Sequence, residues 1–159
     1  MKSYTEKGRD YYRKIRKELV ALIPDKTNSI LDLGCGEGWT GKYLKELGIA
    51  TVIGIEKNEK VAKEASKYLD KVIIGDVESP QLPLDNLKFD CIICGDILEH
   101  LFNPWELLKK LRNHLSQEGC IVASIPNIRN RDILSDLFFK GLWKYKEEGI
   151  LDYTHIRFF

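Results

Sequence analysis

The chain has 159 residues, 43% of them apolar, 31% charged and 10% aromatic, and a formal net charge of +1. This is the composition of a soluble globular protein of one domain, 1–159, and nothing in its overall charge points to nucleic acid or to an anionic membrane. No stretch approaches the roughly 18–20 apolar residues of a membrane span, and the polar N-terminus has no secretory apolar region, so a cytoplasmic protein is expected.

Residues 5–22 read as an amphipathic helix, with Tyr12, Ile15, Leu19, Leu22 and Ile23 near one stripe; Pro24 and Asp25 close this N-terminal unit of residues 1–25. Within it Lys2, Lys7, Arg9, Arg13, Lys14, Arg16 and Lys17 outweigh Glu6 and Asp10, which fits a solvated helix face or a basic approach surface for a substrate. Strand-like runs then recur at 29–33, 50–55, 71–74, 89–94 and 120–125, with helical patterns at about 39–47, 59–69 and 104–115. Asn103-Pro104-Trp105-Glu106 places Asn at an N-cap, Pro at the first helical position and Glu at the third. Gly48 and Gly119 fit helix ends.

Near-continuous apolar strands such as Cys91-Ile92-Ile93-Cys94 suit a parallel sheet covered on both faces, and the alternation of strand and helix gives right-handed βαβ units. The expected fold is α/β, a doubly wound parallel sheet of order 3-2-1-4-5. Cys91 and Cys94 form a CxxC, but their odd spacing in a strand sends them to opposite faces. Buried apolar thiols are therefore expected rather than a redox or zinc pair.

The most informative stretch is Ile30-Leu-Asp-Leu-Gly-Cys-Gly-Glu-Gly-Trp-Thr-Gly41. An apolar strand runs into three alternating glycines, Gly34, Gly36 and Gly38, and a helical pattern follows. A turn without Cβ atoms lets backbone approach a ligand closely, and its place between a strand and a helix N-terminus marks the ligand-binding crevice of an open α/β sheet. An adenosine-containing cofactor is the expected ligand. Gly36-Glu-Gly38-Trp-Thr-Gly41 also matches the G-x-G-x-x-G of NAD-binding folds, with Glu56 at the right distance for a ribose contact. The register argues against NAD: the strand runs into Gly34, not Gly36, giving Asp32-x-Gly34-x-Gly36-x-Gly38.

That pattern resembles the glycine-rich motif of the class I S-adenosylmethionine (SAM)-dependent methyltransferases, and the resemblance extends over nearly the whole chain, with a fold that is Rossmann-like. It implies cofactor contacts from Asp32, Gly34, Cys35, Gly36 and Gly38. It further implies that Glu56, ending Val-Ile-Gly-Ile-Glu, and its neighbour Lys57 meet the ribose, and that Asp76 and Val77 meet the adenine. A carboxylate suits a vicinal diol because it accepts two hydrogen bonds. Gly95 and Asp96 stand where cofactor and substrate meet. Two alternatives remain for single residues: Asp32 could bond only the glycine-loop backbone, and Asp76 could be a turn residue.

Asp96-Ile-Leu-Glu99-His100 is the chemically dense segment, with Asp96, Glu99 and His100 on one face if it opens a helix. Asp96 and Glu99 could form a capping box. The same residues could instead hold a divalent metal, as the resembling segments of ubiquinone-pathway O-methyltransferases and small-RNA 3′-terminal 2′-O-methyltransferases do, with His155 a fourth ligand. His100 and His155 are the candidate catalytic bases, since an imidazole titrates near neutrality. The stretch Gly149-Ile-Leu-Asp-Tyr-Thr-His-Ile-Arg-Phe-Phe159 resembles bacterial methyltransferases associated with glycan assembly. Residues 126–159 form a lid or substrate segment. Its Leu134, Leu137, Phe138, Phe139, Trp143 and Tyr145 fit core packing under a lid, with substrate stacking, alongside Arg129, Arg131 and Lys140, the alternative.

Gly95-Asp96-Ile97 replaces the Asn/Asp-Pro-Pro-Tyr/Phe pattern of amino-methylating DNA enzymes, and no Pro-Cys nucleophile for cytosine chemistry is present. The resemblance implies two further strands that the sequence after Ile125 does not supply, so a truncated sheet is expected, whose open edge could pair two copies of the chain. The expected activity is methyl transfer from SAM to a small-molecule or glycan acceptor, most readily at oxygen. The alternatives are a metal-assisted RNA 3′-terminal 2′-O-methyltransferase and a SAM-binding module without activity.

Overall fold

The computed structural model describes residue 12 and residues 14–80 and 82–159. Strands β1 (Ser29–Leu33), β2 (Thr51–Glu56), β3 (Lys71–Ile74), β4 (Phe89–Gly95) and β5 (Leu115–Ser124) form one sheet of order β3-β2-β1-β4-β5. Every pairing is parallel, as strands joined by helical crossovers require. The helices are α1 (Lys17–Val20), α2 (Trp39–Glu46), α3 (Glu59–Ala65), α4 (Pro104–Arg112) and α5 (Arg131–Lys140). Alternating strand residues feed two cores. Leu31, Leu33, Ile92 and Cys94 enter one, and Ile30, Val52, Cys91 and Ile93 the other. Cys91 and Cys94 therefore do lie on opposite faces, as free buried thiols.

Local chemistry explains the helix ends. The Asn103 side chain accepts the Glu106 N–H at 3.2 Å with Pro104 at the first position of α4. Gly48, at φ +94°, follows the last turn of α2.

Three expectations are corrected. The helix expected over 5–22 is α-helical, among the described residues, only at Lys17–Val20; residues 1–11 and 13 lie outside the described residues. The reason is competition for backbone groups, because Tyr12 O accepts the Glu37 N–H (3.1 Å) and the Arg16 N–H donates to Thr40 Oγ1 (3.2 Å). Leu22, expected on the buried stripe, is 65% exposed.

Gly119 does not end a helix. It lies inside β5, where the register jumps from Phe89↔Leu115 to Cys91↔Cys120. A Cβ there would fall 2.8 Å from Phe89 O and 3.0 Å from Ser116 N, so the strands close only over a glycine. The Asp90 carboxylate fastens the same region, accepting Ser116 Oγ on one oxygen and the Asn28 and Ser29 N–H groups on the other.

The aromatic segment after β5 is not packed under a lid. No residue of α5 is buried, and Phe138 is 82% exposed. Trp143 and Tyr145 find ring partners on Phe158, with centroids 5.2 and 6.3 Å away, and the exposed Phe138 and Phe139 meet each other edge to face at 4.9 Å.

Asp32 is a buried carboxyl in the middle of the sheet, paired in register with Gly54 of β2 and Ile93 of β4. Burial and the charge of Glu56 push its carboxyl up to about 7. Since the folded value exceeds the ordinary 3.8, the folded chain holds an extra proton between about pH 4 and 7, and folding weakens as pH rises through that window. Asp32→Asn removes this dependence. Measured by urea unfolding, its stability relative to the parent should rise from pH 5 to pH 7, by at most about 1.4 kcal/mol per pH unit, and level off above. Parallel profiles for the two proteins would refute the assignment. Gly119→Ala should cost about 1–3 kcal/mol, the usual range for overpacking, with an unchanged urea m-value; an unchanged midpoint would show that the bulge has room.

Candidate active site

The turn after β1 is built on three left-handed glycines, Gly34 (φ +66°), Gly36 (+57°) and Gly38 (+82°). The end of β2 grips it. The N–H groups of Gly34 and Cys35 both donate to Ile55 O, at 2.8 and 3.1 Å, and the Gly36 N–H donates to Glu56 Oε2 at 3.1 Å. The other Glu56 oxygen accepts the Asn58 N–H at 2.8 Å. Burial raises the Glu56 carboxyl, while the N–H donors of Asn58, Gly36 and Lys57 oppose that rise. The carboxylate on the glycine loop is thus that of Glu56, which corrects the alternative reading of Asp32.

The glycines answer to the protein as well as to any ligand. A Cβ on Gly36 would lie 2.9 Å from Tyr12 O, and one on Gly38 2.9 Å from Ala65 Cα. Cys35 packs its thiol into the core, where burial raises its pKa far above the ordinary range.

At the ends of β2 and β3, Lys57 Nζ lies 2.7 Å from Asp76 Oδ2, and Asp76 Oδ1 accepts the Glu78 N–H at 2.9 Å. Burial works against the charged form of Asp76, but Lys57 and the Glu78 N–H prevail and hold its carboxyl below the usual carboxylate range. Asp76 therefore serves as a turn residue in this structure, whatever else it contacts. Val77 is buried in the core.

A cavity of about 430 Å³ opens at the carboxyl ends of β1 and β4, the crevice where sheets of this kind take ligands. Of the expected cofactor residues, Asp32, Gly34, Cys35, Gly36, Gly95 and Asp96 line it. Gly38, Glu56, Lys57, Asp76 and Val77 sit on neighbouring turns outside that lining.

The segment after β4 departs from a helical face. Asp96 adopts a left-handed φ of +48°, its N–H donating to Ser124 O at 3.2 Å. Its carboxylate receives the Ser124 hydroxyl and pairs with the Arg16 guanidinium. Leu98–His100 then forms a short 3₁₀ turn with Ile97 at its N-cap and no side-chain cap, so the capping box does not form. Asp96 is thereby tied to β5 and to the N-terminal segment.

His155 takes the place that Asp96 leaves. Donor atoms of Glu99, His100 and His155 all lie within 4.8 Å of one another, and the two rings meet edge to face at 4.7 Å. His155 Nε2 is 3.8 Å from Glu99 Oε1. His100 Nδ1 bonds Thr154 O (3.2 Å), and His155 Nδ1 bonds Ile150 O (3.0 Å). Glu99 is 1% exposed, and neither of its oxygens has a hydrogen-bond partner among the described residues. Burial pushes its carboxyl up to about 7, against the pull of the neighbouring backbone and of Arg16.

The C-terminal segment is held here by its backbone, the Ile156 and Arg157 N–H groups donating to Glu99 O at 3.0 and 3.1 Å. Arg16 was not singled out in the sequence, where it is one of seven basic residues in the first seventeen. Only the folded chain brings it and Lys14 into the cavity wall.

A model of a methyltransferase domain matches residues 31–123. The ubiquinone biosynthesis O-methyltransferase of Glaesserella parasuis is 30% identical over 122 residues, covering 68% of this chain and 51% of that protein. The malonyl-[acyl-carrier protein] O-methyltransferase of Halalkalibacterium halodurans is 29% identical over 126 residues, 70% of this chain and 46% of that one. The chain thus spans about half the length of these curated relatives. Among solved structures, the plantazolicin methyltransferase BpumL in complex with SAH superposes with a TM-score of 0.65 at 28% identity, over 92% of this chain and 53% of that chain. The sheet order, the glycine turn gripped from β2 and this match over most of the sheet agree, and the chain belongs to the class I SAM-dependent methyltransferase family.

Proposed function

We propose that the cavity binds SAM and that the protein transfers its methyl group to an oxygen of a small-molecule or glycan acceptor. The observation that carries this reading is the convergence of the glycine turn with Glu99, His100 and His155 on one cavity at the carboxyl ends of β1 and β4. When bound, SAM supplies the reactive group, a sulfonium methyl that passes to the acceptor oxygen as the carbon–sulfur bond breaks and S-adenosylhomocysteine leaves.

The protein's part is placement, which can account for roughly 7–11 kcal/mol of such a barrier. Gly34 and Gly36 bring backbone to the cavity wall, with Lys14 and Arg16 beside Asp32 and Asp96 offering both charges to a zwitterionic ligand. Glu56 would hold the ribose hydroxyls, since two N–H donors use only part of its acceptor capacity. Asp76 and Val77 would flank the adenine. His100 and His155 are the proton acceptors for the attacking hydroxyl.

O-methyltransferases among the relatives support an oxygen acceptor. The near-neutral net charge favours a small molecule or glycan over RNA. No helix of the described residues is long and apolar enough to cross a membrane.

Calorimetric titration with S-adenosylhomocysteine should show micromolar binding, and NAD should not bind. Glu56→Gln should weaken S-adenosylhomocysteine while leaving the fold intact by circular dichroism. Binding of NAD instead, or equal affinity in Glu56→Gln, would overturn the cofactor assignment. With an acceptor in hand, His100→Ala should lower turnover about 10²–10⁴-fold and leave S-adenosylhomocysteine affinity within a few-fold. Unchanged turnover would remove His100 from the chemistry.

A further inference from the structure

We propose that Cys120 is an oxidation site and that Cys91 resolves it, the two sulfurs closing a reversible disulfide that clamps the outer strand β5 to β4. The inference uses none of the cavity residues and stands apart from the methyl-transfer reading.

Three observations carry it. Cys91 of β4 and Cys120 of β5 are register partners. Neighbouring strands lie about 4.8 Å apart, inside the about 4.4–6.8 Å between Cα atoms that a disulfide spans. Both side chains also leave the sheet on one face. Cys91 and Ile93, with Cys120 and Val122 opposite them, enter the core that takes Leu19 and Val20 of α1. The third observation is a gradient of access. Cys120 is half-buried on the outermost strand, whereas Cys91, one strand further in, is fully buried. Burial first, and then Cys120, hold the Cys91 thiol above its ordinary range, so an oxidant meets Cys120 before Cys91.

The other two thiols are badly placed to compete. Cys94 enters the opposite core, and Cys35 lies over Gly54 of β2, with β1 between it and Cys91. The oxidant is a hydroperoxide. The Cys120 sulfur attacks a peroxide oxygen, the O–O bond breaks, and with hydrogen peroxide one water leaves as Cys120 becomes a sulfenic acid. The Cys91 sulfur then displaces that hydroxyl. The S–O bond breaks, the S–S bond forms, and the hydroxyl takes the Cys91 proton to leave as a second water. Each sulfur gives up one electron and each peroxide oxygen accepts one. A dithiol reductant reverses the change by exchange at the accessible Cys120 sulfur.

The bond would close a loop that contains the turn after β4 and the whole of α4. Toward the carboxyl ends of the same two strands, Gly95 pairs with Ser124, and Ser124 holds Asp96. Oxidation would thus fasten the outer strand behind the cavity wall. It would also restrict the unfolded chain, so the oxidised protein should resist heat better than the reduced one.

The test treats the reduced, folded protein with hydrogen peroxide, then counts free thiols after unfolding and reads the intact mass. The parent's four free thiols should fall to two and return to four with a dithiol reductant. Its monomer mass should drop by about 2 Da, the two hydrogens lost. Cys94→Ala should behave like the parent, its three thiols falling to one. Cys120→Ala should keep its thiols at a peroxide concentration that converts the parent. Cys91→Ala should stop at an oxidised Cys120, about 16 or 32 Da heavier. Circular dichroism checks each fold, and the half-buried Cys120 leaves the test standing should Cys91→Ala fail to fold. Four thiols surviving in the parent, a disulfide-linked dimer, or loss of two thiols in Cys120→Ala would overturn the pair. A gain of about 32 Da in the parent, in place of the loss, would overturn Cys91 as the resolving thiol. The thermal midpoint of the oxidised parent should rise by about 4 °C or more and fall back on reduction. An unchanged or lowered midpoint would overturn the clamp.

Discussion

The carboxyl end of the sheet depends on the last two residues of β2 gripping the turn that follows β1. A chain that reverses within three residues turns its N–H groups inward, where water cannot reach them. Here Ile55 O takes those of Gly34 and Cys35, and the Glu56 carboxylate takes that of Gly36. Glu56 can do so because it is buried at the strand end with N–H donors on both oxygens. Without that grip the turn would leave unsatisfied donors in the core, and α2 would have no fixed starting point.

Around this fixed turn the cavity is walled by segments far apart in sequence. The N-terminal stretch crosses the turn through Tyr12 and Arg16, and the C-terminal stretch docks on the backbone of Glu99. Asp96 is where the first of these meets β5, and a left-handed backbone at a non-glycine residue is tolerated there because Ser124 and Arg16 hold the side chain from two sides. Carboxylates predominate in the cavity wall, with Asp32 and Glu99 both pushed to about 7 by burial. Such displaced carboxyls mark a site where charge is worth controlling.

Much of this was legible in the sequence. The five strands and their order follow from apolar runs separated by helical periodicity, because a parallel sheet covered on both faces needs that pattern. The α4 start follows from Asn103 and Pro104, whose side-chain chemistry is local. Failures came where a distant partner outbid a local preference. The helix expected to precede β1 gives up backbone groups to Glu37 and Thr40, Gly119 belongs to a bulge against Phe89, and Asp96 is bound by Ser124 and Arg16 rather than joined with Glu99 in a cap.

The sequence alone determined the sheet, the glycine turn and the candidate chemistry of the loop after β4, because each rests on periodicity or on residue types a few positions apart. Tertiary structure decided which carboxylate holds the turn, that Arg16 faces Asp96, and that His155 rather than Asp96 stands with Glu99 and His100. Those pairings span 20, 80 and 56 residues of chain, and no local rule links their members; they exist because the sheet brings the carboxyl ends of its strands to one edge, where burial makes each charged group find a partner.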